Sequence, residues 1–491
     1  MLLNVMSNWN KRRILNNFGI TSLILFLILG LGGCGDSSDD EQSVGYLKFY
    51  NASPNAPEVR ISLTYSDEDS EVYGNVEFGE TISTVEIIAR TYTMELEWEE
   101  DSEEYTTVFE QQVTIRSDEV MFFVLAGDFN SPELLTFDYE YETTELSDET
   151  DEDNFSIRAI STISESQGVD VYLSKDDETF SEAVILGDVF FGEITTNNYF
   201  DLDSYKIYLT QSGSSEILLE TNEFNFSANI NYILSVVNNS GPGEQPYTID
   251  ILSTGNRVTN YSDINSGAEL RVFNGIREHE LLASYNGSVN VEILSTTFND
   301  TINNINRGTS SDTAALEAND YSINISDSLS EASIAENYFI SLDHNDDLTV
   351  FLYLNEVTEE IENEPDVTKV YLNTLPLQNS NRVSLYDHQI NIINLIQDDR
   401  FDEIDIYFVR SNETVSTADF SATTRLAQSR IITLPNNTYD INLISMVDDS
   451  ELLLHFQSIT LTEDDGDYFL VLEVDELSPT GFTATFIPQN N

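Results

Sequence analysis

Positive charge and sulfur are what this chain of 491 residues has least of. It holds 20 Lys and Arg against 88 Asp and Glu, a formal charge of −68, with four histidines and one cysteine. A field of that sign repels phosphate backbones and anionic headgroups, so nucleic acid is excluded as a partner, as is docking to lipid through a basic patch. A lone cysteine forms no intramolecular disulfide and no Cys-rich metal site. His279, His344, His388 and His455 fall in neither a His-x-x-x-His nor a His-Glu-x-x-His spacing, so no zinc motif is present. There is no Gly-x-Ser-x-Gly elbow and no phosphate-cradling glycine loop, and carboxylates are too common for a glycosidase pair to stand out. These absences point to a protein that is not an enzyme, with no catalytic residue and no resident cofactor. Disorder is excluded too, because 40% hydrophobic and 11% aromatic residues can build packed cores.

A membrane-spanning run is also missing. The longest apolar stretch, residues 20–31 (ITSLILFLILGL), falls short of the roughly 20 residues a span needs. It follows Lys11-Arg12-Arg13 and precedes Leu31-Gly32-Gly33-Cys34, the order of a secretory signal: charged region, apolar core, small residues. The segment resembles a bacterial lipoprotein signal, with Gly32 standing where Ala or Ser is commoner. That resemblance implies cleavage after residue 33 and a lipid on the Cys34 thiol, which would anchor the chain to a membrane. Gly35, in the position where Asp marks inner-membrane retention, implies the outer membrane of a Gram-negative envelope, on its periplasmic or its outer face. Residues 34–44 then read as a polar tether.

Four units follow. Each opens on a short alternating strand, and Leu47, Ile157, Leu270 and Val383 taken as equivalent give spacings of 110, 113 and 113 residues. A second strand follows in each: VRISL (59–63), VDVYL (169–173), VNVEIL (289–294) and IDIYFV (404–409). A third carries a tyrosine before its alternation: Tyr92, Tyr205, Tyr321 and Tyr439. A more continuous apolar run comes late in each unit, at 120–127, 232–237, 338–342 and 468–474. Period-two alternation rich in Val, Ile, Tyr and Phe is the strand signal. It predicts an all-β chain of four tandem antiparallel β-sandwich domains of the immunoglobulin-like kind, at 45–144, 155–255, 268–377 and 381–490. The stretch 354–382 contains a strand-like KVYL (369–372), which can supply the third domain's last strand. The recurrent tyrosine is expected to be structural, its ring buried and its hydroxyl bonded to backbone; stacking on a ligand is the alternative.

The first unit resembles a known family. Leu47 to Leu63 (LKFYNASPNAPEVRISL), Asn75 to Gly79 and Ala89 to Thr93 are similar to a bacterial exported domain, domain-of-unknown-function family 4397, with its proline loop between two strands. The second unit keeps Val169-Asp170-Val171-Tyr172 and Asp188 to Gly192 but has STISESQG (161–168) in place of the proline loop. The third and fourth keep only the strand spacing and the tyrosine. The resemblance implies an exported β-domain, often lipid-anchored, and carries over no catalytic residue. Physically, Pro54 and Pro57 stiffen the loop and Asn55 suits a turn, which serves either a rigid strand connection or a binding loop at one end of the sandwich.

Acidic clusters raise one cofactor question. Asp148, Asp151 and Asp153 lie in the junction after the first unit, and Asp464, Asp465 and Asp467 lie near the end of the fourth. Calcium needs several oxygen ligands at once, which such loops can supply, but no EF-hand register is visible. The competing reading is a solvated, self-repelling surface. That field is uneven, with 29 acids against four basic residues in 44–154 and 16 against four in 155–267. The sequence thus leads to a lipid-anchored envelope protein, a row of β-domains that scaffolds or adheres to a protein or glycan partner. The alternative is a binding protein for a glycan, divalent cation or small ligand at the end loops of one domain.

Overall fold

The computed structural model describes residues 42–66, 70–101, 104–141, 154–164, 168–359 and 367–489. The signal segment, Cys34, most of the tether, and Asp148, Asp151 and Asp153 lie outside the described residues.

The first repeat has eight strands: β1 (Val44–Asn51), β2 (Val59–Thr64), β3 (Glu71–Val76), β4 (Val85–Ile88), β5 (Thr91–Asp101), β6 (Glu104–Thr114), β7 (Glu119–Ala126) and β8 (Glu133–Glu140). They form two sheets, ordered β4-β1-β7-β8 and β3-β2-β5-β6. Every pairing is antiparallel except β1 with β7, which run parallel. The second repeat repeats the plan with β9 (Asn154–Ser161), β10 (Val169–Lys175), β11 (Val184–Val189), β12 (Asn198–Asp201), β13 (Ser204–Gln211), β14 (Ile217–Glu220), β15 (Phe224–Asn225), β16 (Asn231–Asn238), β17 (Tyr247–Leu252) and β18 (Val258–Tyr261). Its sheets run β12-β9-β16-β17-β18 and β11-β10-β13-β14, so β18 carries the sheet past residue 255.

The third repeat comprises β19 (Ala268–Asn274), β20 (Ser288–Leu294), β21 (Asn299–Asn306), β22 (Ala314–Leu316), β23 (Asn319–Asp327), β24 (Ser333–Leu342), β25 (Asp347–Glu359) and β26 (Val367–Gln378). The fourth comprises β27 (Asp387–Asn394), β28 (Ile404–Val409), β29 (Phe420–Thr424), β30 (Ser429–Pro435), β31 (Thr438–Val447), β32 (Ser450–Thr460), β33 (Tyr468–Val474) and β34 (Phe482–Pro488). Both have the strand order of the first repeat. The chain is therefore all-β, a tandem of four sandwiches. Within the sandwich class the strand order is its own: an immunoglobulin domain pairs its first, second, fourth and fifth strands in one sheet, whereas here the first strand pairs with the fourth and seventh.

Two sequence equivalences shift. The segment Val383-Ser384-Leu385-Tyr386 alternates but forms no strand, because its groups are engaged elsewhere: the Leu385 amide donates to Asn55 O at 3.4 Å and Tyr386 packs on Trp98, ring centroids 4.7 Å apart. The fourth repeat opens on β27, whose Ile390 faces Tyr468 across the parallel pairing as Leu47 faces Met121. The run at 338–342 belongs to β24, where Phe339 is 72% exposed. The third repeat's continuous run is instead β25, which pairs parallel with β19, and KVYL lies in β26 as its antiparallel partner.

The recurrent tyrosine is a corner. Tyr92, Tyr205, Tyr321 and Tyr439 are buried, and each hydroxyl donates to the carbonyl four residues upstream: Ile88 at 3.0 Å, and Asp201, Glu317 and Pro435 each at 2.8 Å. The ring fills the core while the hydroxyl finds a backbone carbonyl to donate to.

Alternation holds where one face meets water, as in β20, and fails where both faces are covered. In β7 and β9 every residue but the first is buried; β7 reads as a continuous apolar run, as strands covered on both sides do, while β9 buries Ser156, Arg158 and Ser161 among its apolar residues. The second face is covered by another repeat. Tyr50, Phe122, Val124 and Phe137 pack against Ile160, Ile233 and Leu252 of repeat two. Phe273 and Phe351 of repeat three pack against Ile393, Leu395, Phe469, Val471 and Ile487 of repeat four. Gly275 allows this approach, since a Cβ there would lie 2.5 Å from the Leu395 side chain and 2.8 Å from Leu352 O.

Three basic side chains at one register position, one residue after Leu47, Ile157 and Leu270, are buried in these seams. Lys48 Nζ donates to Ser253 O at 2.8 Å and Gly255 O at 3.2 Å, and Arg158 stacks over the Tyr139 ring at 4.2 Å. Arg271 donates to Pro488 O at 3.0 Å and also to Gln489 O. Lys48 and Arg158 thus cross the same seam in opposite directions, Lys48 onto the β17–β18 turn and Arg158 onto β8.

The two pairs also meet. Asn345 joins repeat three to repeat two, accepting from Gly243 N at 2.8 Å and donating to Asn239 Oδ1 at 3.0 Å. Repeat four returns to repeat one: Gln389 Nε2 donates to Glu77 Oε2 at 2.8 Å, and Glu58 N to Asp387 Oδ2 at 3.3 Å. Residues 43–491 form one compact unit. The in-line row that the tandem sequence invited is therefore corrected: the fourth sandwich closes on the first.

Candidate functional site

The proline loop lines an opening between repeats one and two. Asn51, at the end of β1, turns the chain: its Nδ2 donates to Val76 O at 3.1 Å and its Oδ1 accepts from Ser53 N at 3.1 Å. Ser53 Oγ donates to Gly127 O at 2.8 Å. Asn55 ties the loop to the β7–β8 turn, donating to Asp128 Oδ1 at 2.9 Å and accepting from Phe129 N at 2.8 Å. Those bonds, first the one from Asn55 and then the Asn130 amide, hold the Asp128 carboxyl below its ordinary range. Its polar groups are thus committed to the loop's own shape, as a rigid strand connection requires.

The loop nevertheless walls a cleft of about 430 Å³. Ala52, Pro54 and Asn55 line it together with Thr162 and Ile163 of the equivalent loop in repeat two and with Asn238. A second hollow of about 250 Å³ shares Phe78 and Asn238 and reaches Asp250 and Asn260. Asp250 is buried; burial pushes its pKa up, opposed by hydrogen bonds from Tyr50 at 2.5 Å and Asn260 at 2.7 Å. It locks the seam from below. Among the described residues lining the larger cleft there is one carboxylate, Asp128, and no His, Lys or Arg. Amides and hydroxyls beside Phe78 and Ile163 suit a neutral polar ligand and offer no nucleophile and base pair.

The three described calcium candidates do not converge. Asp464 is exposed. Asp465 accepts from Thr462 N, Thr462 Oγ1 and the Tyr468 hydroxyl, each at 2.8 Å; against the upward pull of burial, these bonds hold its pKa low. Asp467 is buried and bound to Arg382 at 3.1 Å, to Ser380 Oγ at 2.5 Å and to Gln389 N at 2.7 Å. Its oxygens are occupied by a structural ion pair that also includes Asp387, 2.5 Å from Arg382. Asp467 is therefore corrected from cation ligand to fold anchor. Among the described residues no group of three or more His, Cys, Asp or Glu is placed to hold a metal ion.

The histidines are dispersed as their spacing implied. His388 is buried, its Nδ1 3.1 Å from Gly466 O and its Nε2 2.7 Å from Asn436 Oδ1. Sequence reasoning did not pick out Lys48, Asp250 or Arg382. The only signal was a cation inside each apolar opening strand, YLKFY, SIRAI and LRVF.

No family model matches the chain, and no curated protein matches it. Solved structures similar in part include the Bacillus anthracis TIE protein, at 8% identity, 88% of this chain, 68% of that one and a TM-score of 0.15. A DUF3823 family protein from Bacteroides ovatus aligns at 12% identity over 40% of this chain and 99% of that one, TM-score 0.13. The chicken CNTN1 FN1–FN3 domains align at 9% identity over 60% and 88%, TM-score 0.12. Scores this low carry nothing about function, and the fold rests on the strands themselves.

Proposed function

We propose that the chain is an exported, non-enzymatic protein of the bacterial cell envelope, lipidated on Cys34, anchored to the outer membrane and serving as an interaction scaffold for a protein or glycan partner. The resemblance of the first repeat to family 4397 belongs to this proposal. The observation that supports it is where the buried charge lies: Lys48, Asp250, Arg271 and Arg382 hold sandwiches to one another or brace a junction, and do not converge on a reactive centre. Metabolic labelling with a clickable fatty acid tests the anchor. Label and outer-membrane fractionation are expected for the natural chain and lost in Cys34→Ala; label retained by Cys34→Ala refutes the assignment.

The cleft at the proline loop favours a second reading, a binding protein for a neutral glycan. Its lining of Asn238, Ser164 and Thr162 beside Phe78 supports it. Titration with neutral oligosaccharides, with Asn238→Ala as control, tests it. Equal binding by both chains counts against this site.

A further inference from the structure

We propose that the cleft between the third and fourth sandwiches, floored by Glu473, is a binding site for a primary alkylammonium group. The site begins where the dry seam ends. On β33 the outward residues are Phe469, Val471 and Glu473; the first two pack against repeat three, and Glu473 occupies the next outward position at the mouth. It is 5% exposed, and its Oε1 has no hydrogen-bond partner. A buried carboxylate oxygen left unpaired is costly, and such groups mark places where something else binds.

The cleft around it measures about 570 Å³ and is lined by Glu278, Arg307, Asp475, Glu476 and Thr483, a size that suits a small ligand. Its charge is negative even without Glu473, three further carboxylates against one guanidinium. Arg307 donates to Val474 O. Thr483 stands directly across the β33–β34 pairing from Glu473, so a hydroxyl and a carboxylate oxygen face the same space. An ammonium carries three donors and needs few charged acceptors. A metal ion needs several oxygens at once, and no such cluster exists among the described residues.

Burial pushes the Glu473 carboxyl up to about 8, with Arg307 opposing and Asp475 adding to the shift. The Tyr285 phenol, also facing Arg307, Glu473 and Glu278, is pushed up to about 12 by burial and stays neutral. Below pH 8 the site therefore holds a proton. Binding exchanges it: the carboxylic acid releases H⁺ to solvent, and the carboxylate so formed pairs with the incoming ammonium. The site is independent of the lipid on Cys34 and of the cleft at the proline loop.

Isothermal titration of the purified full-length chain with n-butylammonium chloride in 150 mM NaCl tests this, with n-butanol as the uncharged probe. Affinity should be roughly 50-fold higher at pH 8 than at pH 6, since the competing proton leaves over that interval. At pH 6 nearly one proton should be released per ligand, read from buffers of different ionisation enthalpy. Glu473→Gln should abolish both effects while keeping the thermal transition. Three results would overturn the proposal: affinity independent of pH in the natural chain, equal binding of butanol, or undiminished binding by Glu473→Gln. So would an equal loss in Glu278→Gln/Glu476→Gln, which would reduce the effect to general attraction by acidic surface.

Discussion

Replacing Phe351 by Ala tests whether the third and fourth sandwiches are one packed body. On β25 Val350, Leu352 and Leu354 enter the core of their own repeat, and Phe351 points the other way. It is fully buried, with ring centroids 5.4 Å from Phe273 and 5.1 Å from Phe469. Truncating a buried Phe removes its transfer free energy and leaves a cavity, about 3–5 kcal/mol together. Were the sandwiches independent beads, Phe351 would sit on a solvent-facing strand, where substitution costs no more than about 1 kcal/mol. The urea slope grows with the surface exposed and exceeds about 3 kcal/mol/M for a body of this size, so the unfolding midpoint should fall by about 0.5–1 M. Urea unfolding followed by circular dichroism reads this directly. Val350→Ala serves as a control that destabilises under either arrangement. A Phe351→Ala midpoint indistinguishable from the natural chain, with Val350→Ala shifted, would refute the pairing.

Other consequences are open to measurement. Solution scattering of residues 43–491 should give a radius of gyration of about 22 Å for a single compact body; four sandwiches in line, about 150 Å long, would give roughly 43 Å. Tyr439→Phe removes the donor to Pro435 O and should cost about 1 kcal/mol in urea unfolding; no change would mean that the corner bond adds nothing beyond ring packing. Burial lowers the Lys48 amine from 10.5 to about 7. The unfolded chain therefore binds more protons between these values, and stability should rise as pH goes from about 7 to about 10. Lys48→Met should remove that contribution to the slope; an unchanged pH profile would show that Lys48 titrates normally.

Much of each sandwich was legible because local pattern records local burial. VRISL, VDVYL, VNVEIL and IDIYFV form β2, β10, β20 and β28 as their alternation predicts, since one face of each meets the core. The tyrosine corner was legible too, because an aromatic at one strand position in four repeats needs both a core and a partner for its hydroxyl. Misreadings arose where a pattern had two causes. YFISL alternates on an outer strand and resembles a seam run only by composition. Residues 383–386 alternate because Tyr386 is drawn to Trp98 and Phe129 of repeat one. The cleft residues carried still less signal, since Glu473 in LVLEV looks like any polar position at a strand end.

By itself the sequence determined the strand class, the four units and the signal-like start, because each is written in short-range periodicity and composition. The continuous runs of β7 and β33 were legible as strands, but not as strands covered on both faces. What covers them was decided only in three dimensions. A seam depends on complementary shapes from strands of different repeats, and nothing local in the chain specifies which apolar face will meet which. The tertiary structure alone therefore turned a tandem of domains into a closed body. It also set the proline loop beside its counterpart in repeat two and left Glu473 buried, with one oxygen unpaired, at the mouth of a cleft.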